Sequence, residues 1–110
     1  MSELNEKLAK YKAEAESQLA KAGETNIDDA VLSKLVNNLK LVIDNRDALS
    51  VAGSDPKEME TVRRNFLVKK LGVDDEEKGK AICADVVKKM SDSRMKNRAA
   101  FYYLCKKQAE

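Results

Sequence analysis

The chain of 110 residues has no histidine and no tryptophan, one proline, four glycines and two cysteines. Without histidine it cannot build a Ser-His-Asp triad, a Cys-His pair, a histidine proton shuttle or a histidine-bearing zinc site. Cys83 and Cys105 are far apart in sequence and lack CxxC spacing, so they read as reduced core thiols and not as a metal site or a bridge. No apolar run approaches the roughly 18 residues that a membrane span needs. Charge of one sign is also lacking, because 21 basic and 19 acidic side chains leave a net +2. A hydrophobic content of 43% is too high for a disordered tail. What remains is a single domain over residues 1–110, able to bury roughly two-thirds of its unfolded surface without metal or disulfide support. The opening residues Met1 to Lys7 alternate in charge with no apolar leader, which predicts a cytoplasmic protein.

The hydrophobic pattern is helical throughout and predicts an all-α fold, a compact bundle of about five helices. Helix one, residues 2–22, is capped by Ser2 and carries Leu4, Leu8, Tyr11, Ala15, Leu19 and Ala22 at steps of four and three before Gly23 stops it. That stripe is narrow, so the helix is peripheral and docks one edge on the body, or offers a seam to a second copy. Helix two opens at Thr25 or Asn26 and has a broad apolar arc from Ile27 to Ile43, with a break at Asp44 to Asp47. Helix three starts at Asp55-Pro56, with Glu58 completing a capping box, and ends at Gly72. Helix four starts in Asp74-Asp75-Glu76-Glu77, capped by Asp74, and Gly79 falls inside its apolar arc, where a neighbour comes close or the first turn is loose. Ser91-Asp92-Ser93 caps helix five, which carries Met95, Phe101, Tyr102, Leu104 and Cys105.

Charge is unevenly placed. Residues 1–55 hold 7 basic and 10 acidic side chains, net −3, and residues 56–110 hold 14 and 9, net +5. At 100° per residue, Arg63 and Lys70 fall among the apolar residues of helix three, and Arg94 and Arg98 among those of helix five. Their stems cover core edges while the heads reach solvent or acids. Asp28 is the one carboxylate comparably placed on helix two, which predicts an Asp28–arginine pair. The alternative is a basic surface gathering Arg63, Arg64, Lys69, Lys70, Arg94, Lys96, Arg98, Lys106 and Lys107 with aromatic residues between them. The candidate binding face is Arg63, Lys70, Arg94, Arg98 and Tyr102.

Ser54-Asp55-Pro56-Lys57-Glu58, Val62-Arg63-Arg64-Asn65-Phe66-Leu67, Lys69-Lys70-Leu71-Gly72, and Arg98 with Phe101-Tyr102-Tyr103-Leu104 together resemble the bacterial domain of unknown function family numbered 2853. The likeness runs over residues 26–108, and helix one departs most from it. It implies a small, stand-alone, all-helical protein without assigned catalytic or binding residues.

An enzyme is the least supported class. The acids at Asp74 to Glu77 serve the helix start, and neither thiol has a base beside it. Four consecutive acids at a helix start point around the axis, so they make no metal site. No catalytic residue, cofactor or metal is predicted. The expectation is a non-catalytic interaction or regulatory protein, monomer or homodimer, with an unidentified protein partner and no membrane contact. Weak nucleic-acid or anion binding through the basic half is the alternative.

Overall fold

Gly23 and Gly72, with φ of +96° and +72°, are the residues in the left-handed region among residues 3–110, which the computed structural model describes. Each stops a helix as the sequence predicts. Helix α1 (Glu3–Lys21) ends in a Schellman motif, with the Glu24 N–H donating to Leu19 C=O at 2.9 Å and the Gly23 N–H to Ala20 C=O at 3.1 Å. The Ser2 cap expected at its other end lies outside the described residues.

Helix α2 (Asp29–Asn37) begins later than expected, at Asp28, whose carboxylate accepts the Val31 N–H at 3.3 Å. Asp28 therefore faces the helix terminus and pairs with no arginine, which corrects the expected Asp28–arginine bridge. The wheel placed Asp28 inside the helix, where a residue one step before its first turn has no azimuth. The break also comes earlier than Asp44. Asn37 and Asn38, weak helix formers whose amides compete for backbone groups, end the ladder. A 3₁₀ turn (Lys40–Val42) follows and leaves Leu41 92% exposed. Asn45 then caps a single-turn helix α3 (Arg46–Leu49), accepting the Ala48 N–H at 3.2 Å.

Strand β1 (Ser50–Val51) pairs antiparallel with β2 (Lys96–Asn97), Ser50 opposite Asn97 and Val51 opposite Lys96. Two-residue strands carry no periodicity, so the pattern of residues did not announce them.

Helix α4 (Pro56–Val62) starts where expected, with Asp55 accepting the Lys57 N–H at 2.9 Å and Pro56 in the first turn. It runs into a π-helical segment (Arg63–Val68), marked by the Leu71 N–H donating to Phe66 C=O at 3.0 Å. Widening the ladder by one residue displaces everything after it by about 100°. Lys70, which an ideal wheel superimposes on Arg63, is consequently exposed while Arg63 is buried.

Helix α5 (Glu76–Lys89) is capped by Asp75 accepting the Lys78 N–H at 3.2 Å, one residue beyond the expected Asp74. Helix α6 (Arg98–Ala109) starts at Asn97, which accepts the Ala100 N–H at 3.1 Å, and not at the Ser91–Ser93 cluster. The β bridge holds Lys96 and Asn97 extended. Arg94 and Met95 thus lie on an exposed loop instead of on a helix face.

Helix α6 is the centre of the bundle. Its Ala99, Ala100, Phe101, Tyr103, Leu104 and Cys105 are buried, and it packs against α1, α2, α5 and the π segment. Tyr11, Ala15 and Leu19 of α1 face α6 and α2, so the narrow stripe is spent on docking within the chain. The core is one contiguous cluster, and the radius of gyration of 13.2 Å is that of one domain. No helix of the described residues is long and apolar enough to cross a membrane.

Candidate functional site

Arg98 organises the polar interior. Its Nε donates to Ala48 C=O at 2.7 Å, and Nη2 to Ser50 C=O at 2.9 Å and to Glu58 Oε1 at 2.5 Å, while Nη1 donates to the Tyr102 hydroxyl at 3.0 Å. The guanidinium fork thus ties α3, β1 and α4 to α6, using donors that would be costly to bury unpaired. Glu58 is the partner that the wheel did not identify. It leaves its expected capping-box role because the Asp55 N–H already donates to Ala52 C=O at 3.1 Å while Arg98 offers a charged donor.

Tyr11 completes this region from α1. Its hydroxyl donates to Leu49 C=O at 2.5 Å and accepts the N–H groups of Arg98 at 3.0 Å and Ala99 at 3.3 Å, two donors left open by the start of α6. Burial pushes its pKa up to about 12. Asn97, 1% exposed, donates to Tyr11 C=O and to Glu14 Oε1, both at 3.2 Å, and its own N–H reaches Gln18 Oε1 at 2.8 Å. Every buried side-chain polar atom among the described residues has a partner. This network is a structural joint, fully satisfied and without a reactive group exposed.

Arg63 lies on a different side. Nη2 and Nε hold Glu60 in a fork at 2.5 and 3.1 Å, and Arg64 Nε joins the same carboxylate at 2.9 Å. The Arg63 hydrogen bond is the main cause that lowers the Glu60 pKa to about 2. The Arg63 stem crosses Gly79, where a Cβ would meet Arg63 Cγ at 2.9 Å and Cδ at 3.1 Å. Of the two readings of Gly79, close approach is the one realised. Beyond the stem, Met59, Arg63, Lys80, Cys83 and Val87 line a cavity of about 430 Å³.

The largest groove, about 770 Å³, opens between α2, the π segment and α6. Val31, Leu35, Leu39, Phe66, Leu71 and Tyr102 give it apolar walls, and Lys34, Lys70 and Lys106 are its charged residues, with no acid in the lining. Phe66 and Tyr102 stack with centroids 4.0 Å apart and 10° between planes, and the Arg98 guanidinium carbon lies 5.6 Å from the Tyr102 centroid.

The five residues of the predicted face are therefore divided. Tyr102 and Lys70 share the large groove, Arg98 supports Tyr102 from the interior, Arg63 belongs to the Glu60 fork, and Arg94 lines a third, mixed-charge depression beside Asp92 and Arg46. Of the nine basic residues of the alternative surface, six are engaged: Arg63 and Arg64 with Glu60, Lys96 with Ser93 C=O, Arg98 with Glu58, Lys106 with Glu110 and Lys107 with Glu24. The helix wheel overlooked Leu35, Leu39 and Lys34 as groove residues, because a groove is made by two elements and a wheel describes one.

No group of three or more Cys, Asp or Glu residues among those described could hold a metal ion. Comparison with curated proteins finds no match. The family model of the protein of unknown function DUF2853 matches residues 10–110, a longer stretch than the motifs alone suggested and one that takes in most of α1. That match covers nearly the whole chain, and the chain belongs to the DUF2853 family.

Proposed function

We propose that this is a non-catalytic interaction protein whose groove between α2, the π segment and α6 takes an acidic, apolar-faced helical segment of a partner protein. The observation that carries the reading is the lining: six apolar side chains with three lysines and no carboxylate. An amphipathic helix with apolar residues at steps of three and four and acids beside them matches both features. Lys34 and Lys70 have no ion-pair partner among the described residues, and Lys106 pairs only with the exposed Glu110, an i,i+4 contact that solvent screens. All three are available to a partner. The two free cysteines suit a reducing, cytoplasmic setting.

Nucleic acid is the weaker reading. Leaving Lys106 aside, five of the nine basic residues that would contact phosphate are already paired or bound to backbone, and Tyr102 has given a face to Phe66.

The test is a titration of a labelled acidic amphipathic peptide followed by backbone NMR. Shifts confined to α2, the π segment and α6, with affinity lowered about tenfold or more by Lys34→Glu with Lys70→Glu, support the groove. No shift at about 1 mM peptide, the floor of useful affinity, sinks it, as does an oligonucleotide that binds the same residues more tightly than the peptide.

A further inference from the structure

Cys83 on α5 and Cys105 on α6 both lie in the core seam where these two helices pack, close enough for each thiol to perturb the other. Both are free and buried. Their surroundings differ in kind. Cys83 lines the 430 Å³ cavity together with Lys80 and the Arg63–Glu60 ion pair, whereas Cys105 is fully enclosed. A small reagent entering the cavity from solvent meets Cys83, beside the paired Arg63, before the enclosed Cys105.

We propose that Cys83 and Cys105 are a hydroperoxide-responsive dithiol, with Cys83 as the attacking sulfur at the cavity wall and Cys105 as the resolving sulfur behind it. The oxidant is hydrogen peroxide or a small alkyl hydroperoxide, since the cavity and the slight exposure of Cys83 exclude bulky disulfides. In the first step the Cys83 sulfur attacks the distal peroxide oxygen. The O–O bond breaks, the thiol proton goes to the leaving oxygen as water or alcohol, and Cys83 becomes a sulfenic acid. In the second step the Cys105 sulfur attacks the Cys83 sulfur, the S–OH bond breaks, and the hydroxide leaves as water with the Cys105 proton. Two thiols are oxidised to one disulfide and one peroxide is reduced.

The electrostatics run in the same direction. The neighbouring Cys105 thiol lowers the pKa of Cys83 against the opposing effect of burial, with Arg63 acting downward and its partner Glu60 upward, and the same contact with burial raises that of Cys105. The Arg63 stem reaches this position because Gly79 has no side chain to obstruct it. The product staples α5 to α6 at the centre of the bundle, and the fold predicts reversal by a dithiol reductant.

The test uses the full chain treated with hydrogen peroxide. Both thiols should disappear together, the intact mass should fall by two hydrogens without dimer formation, digestion should join the Cys83 and Cys105 peptides, and dithiothreitol should restore the starting mass. In Cys105→Ser a dimedone adduct should form on Cys83, and in Arg63→Met the oxidation of Cys83 should slow about tenfold. A wild-type chain whose thiols react no faster than the slowest core amides exchange overturns the proposal, since reaction then requires unfolding. So does wild-type oxidation that yields only intermolecular dimers or a sulfinic acid, and this measurement needs no variant to fold.

Discussion

The backbone N–H of Arg98 donates to the hydroxyl of Tyr11 at 3.0 Å, so a side chain of α1 caps the first turn of α6. The same hydroxyl serves Ala99 and Leu49, and it joins the first helix, the last helix and the end of α3 at a single oxygen. Tyr11→Phe keeps the ring and removes that oxygen. It leaves the fully buried Ala99 N–H without its partner, an expected cost of about 1–3 kcal/mol. Urea unfolding should show this as a lower midpoint at unchanged slope.

The same group sets an alkaline limit. Burial holds the Tyr11 proton up to about pH 12, against 10 in the unfolded chain, so the folded state binds it more tightly. The associated stability is fully present below pH 10 and is lost as pH rises from 10 to 12. The difference in stability between wild type and Tyr11→Phe should therefore shrink across that window in parallel denaturant titrations.

Removing Arg98 should cost more than removing any surface cation. Arg98→Met keeps most of the stem but leaves Glu58 as a partly buried, unpaired carboxylate and takes the donors from Ala48 and Ser50. The expected loss is about 3 kcal/mol. Arg98→Met with Glu58→Gln should recover part of it, which a double-mutant cycle measures.

Gly79 and Arg63 should be strongly non-additive. Gly79→Ala in an open helix gains about 1 kcal/mol, but here the new methyl lies 2.9 Å from Arg63 Cγ, mid-stem where the chain cannot swing clear. Thermal unfolding should show Gly79→Ala lowering stability in the wild type and raising it in an Arg63→Ala background.

Acid should release the Arg63 fork. The Glu60 carboxyl is lowered from 4.5 to about 2 in the fold, so its contribution is fully present above pH 4.5 and is lost as pH falls toward 2. Glu60→Gln should unfold at lower denaturant than wild type at pH 7, and the gap should close at pH 2.

How much of this could be read in residues alone differs from element to element. The stops at Gly23 and Gly72 and the start at Asp55-Pro56 were legible because each depends on one or two neighbouring residues and their φ preferences. Arg98 was legible as a misplaced charge but its partner was not, since Glu58 is 40 positions away and had a plausible local duty. The start of α6 was misplaced because the strand pair that delays it joins residues from two distant parts of the chain. Lys70 was misplaced because nothing in Arg63–Val68 marks a π segment by residue type.

Residue order alone is enough for the helical class, the missing histidine chemistry, the glycine stops and the unequal division of charge, all of which follow from composition, period and local backbone preference. Tertiary structure alone decided which cations are engaged and which line the groove, and that two cysteines on different helices come close. Those outcomes depend on the order in which helices pack and on a one-residue change of ladder, and the rotation of about 100° that it brings leaves Arg63 inward and Lys70 out.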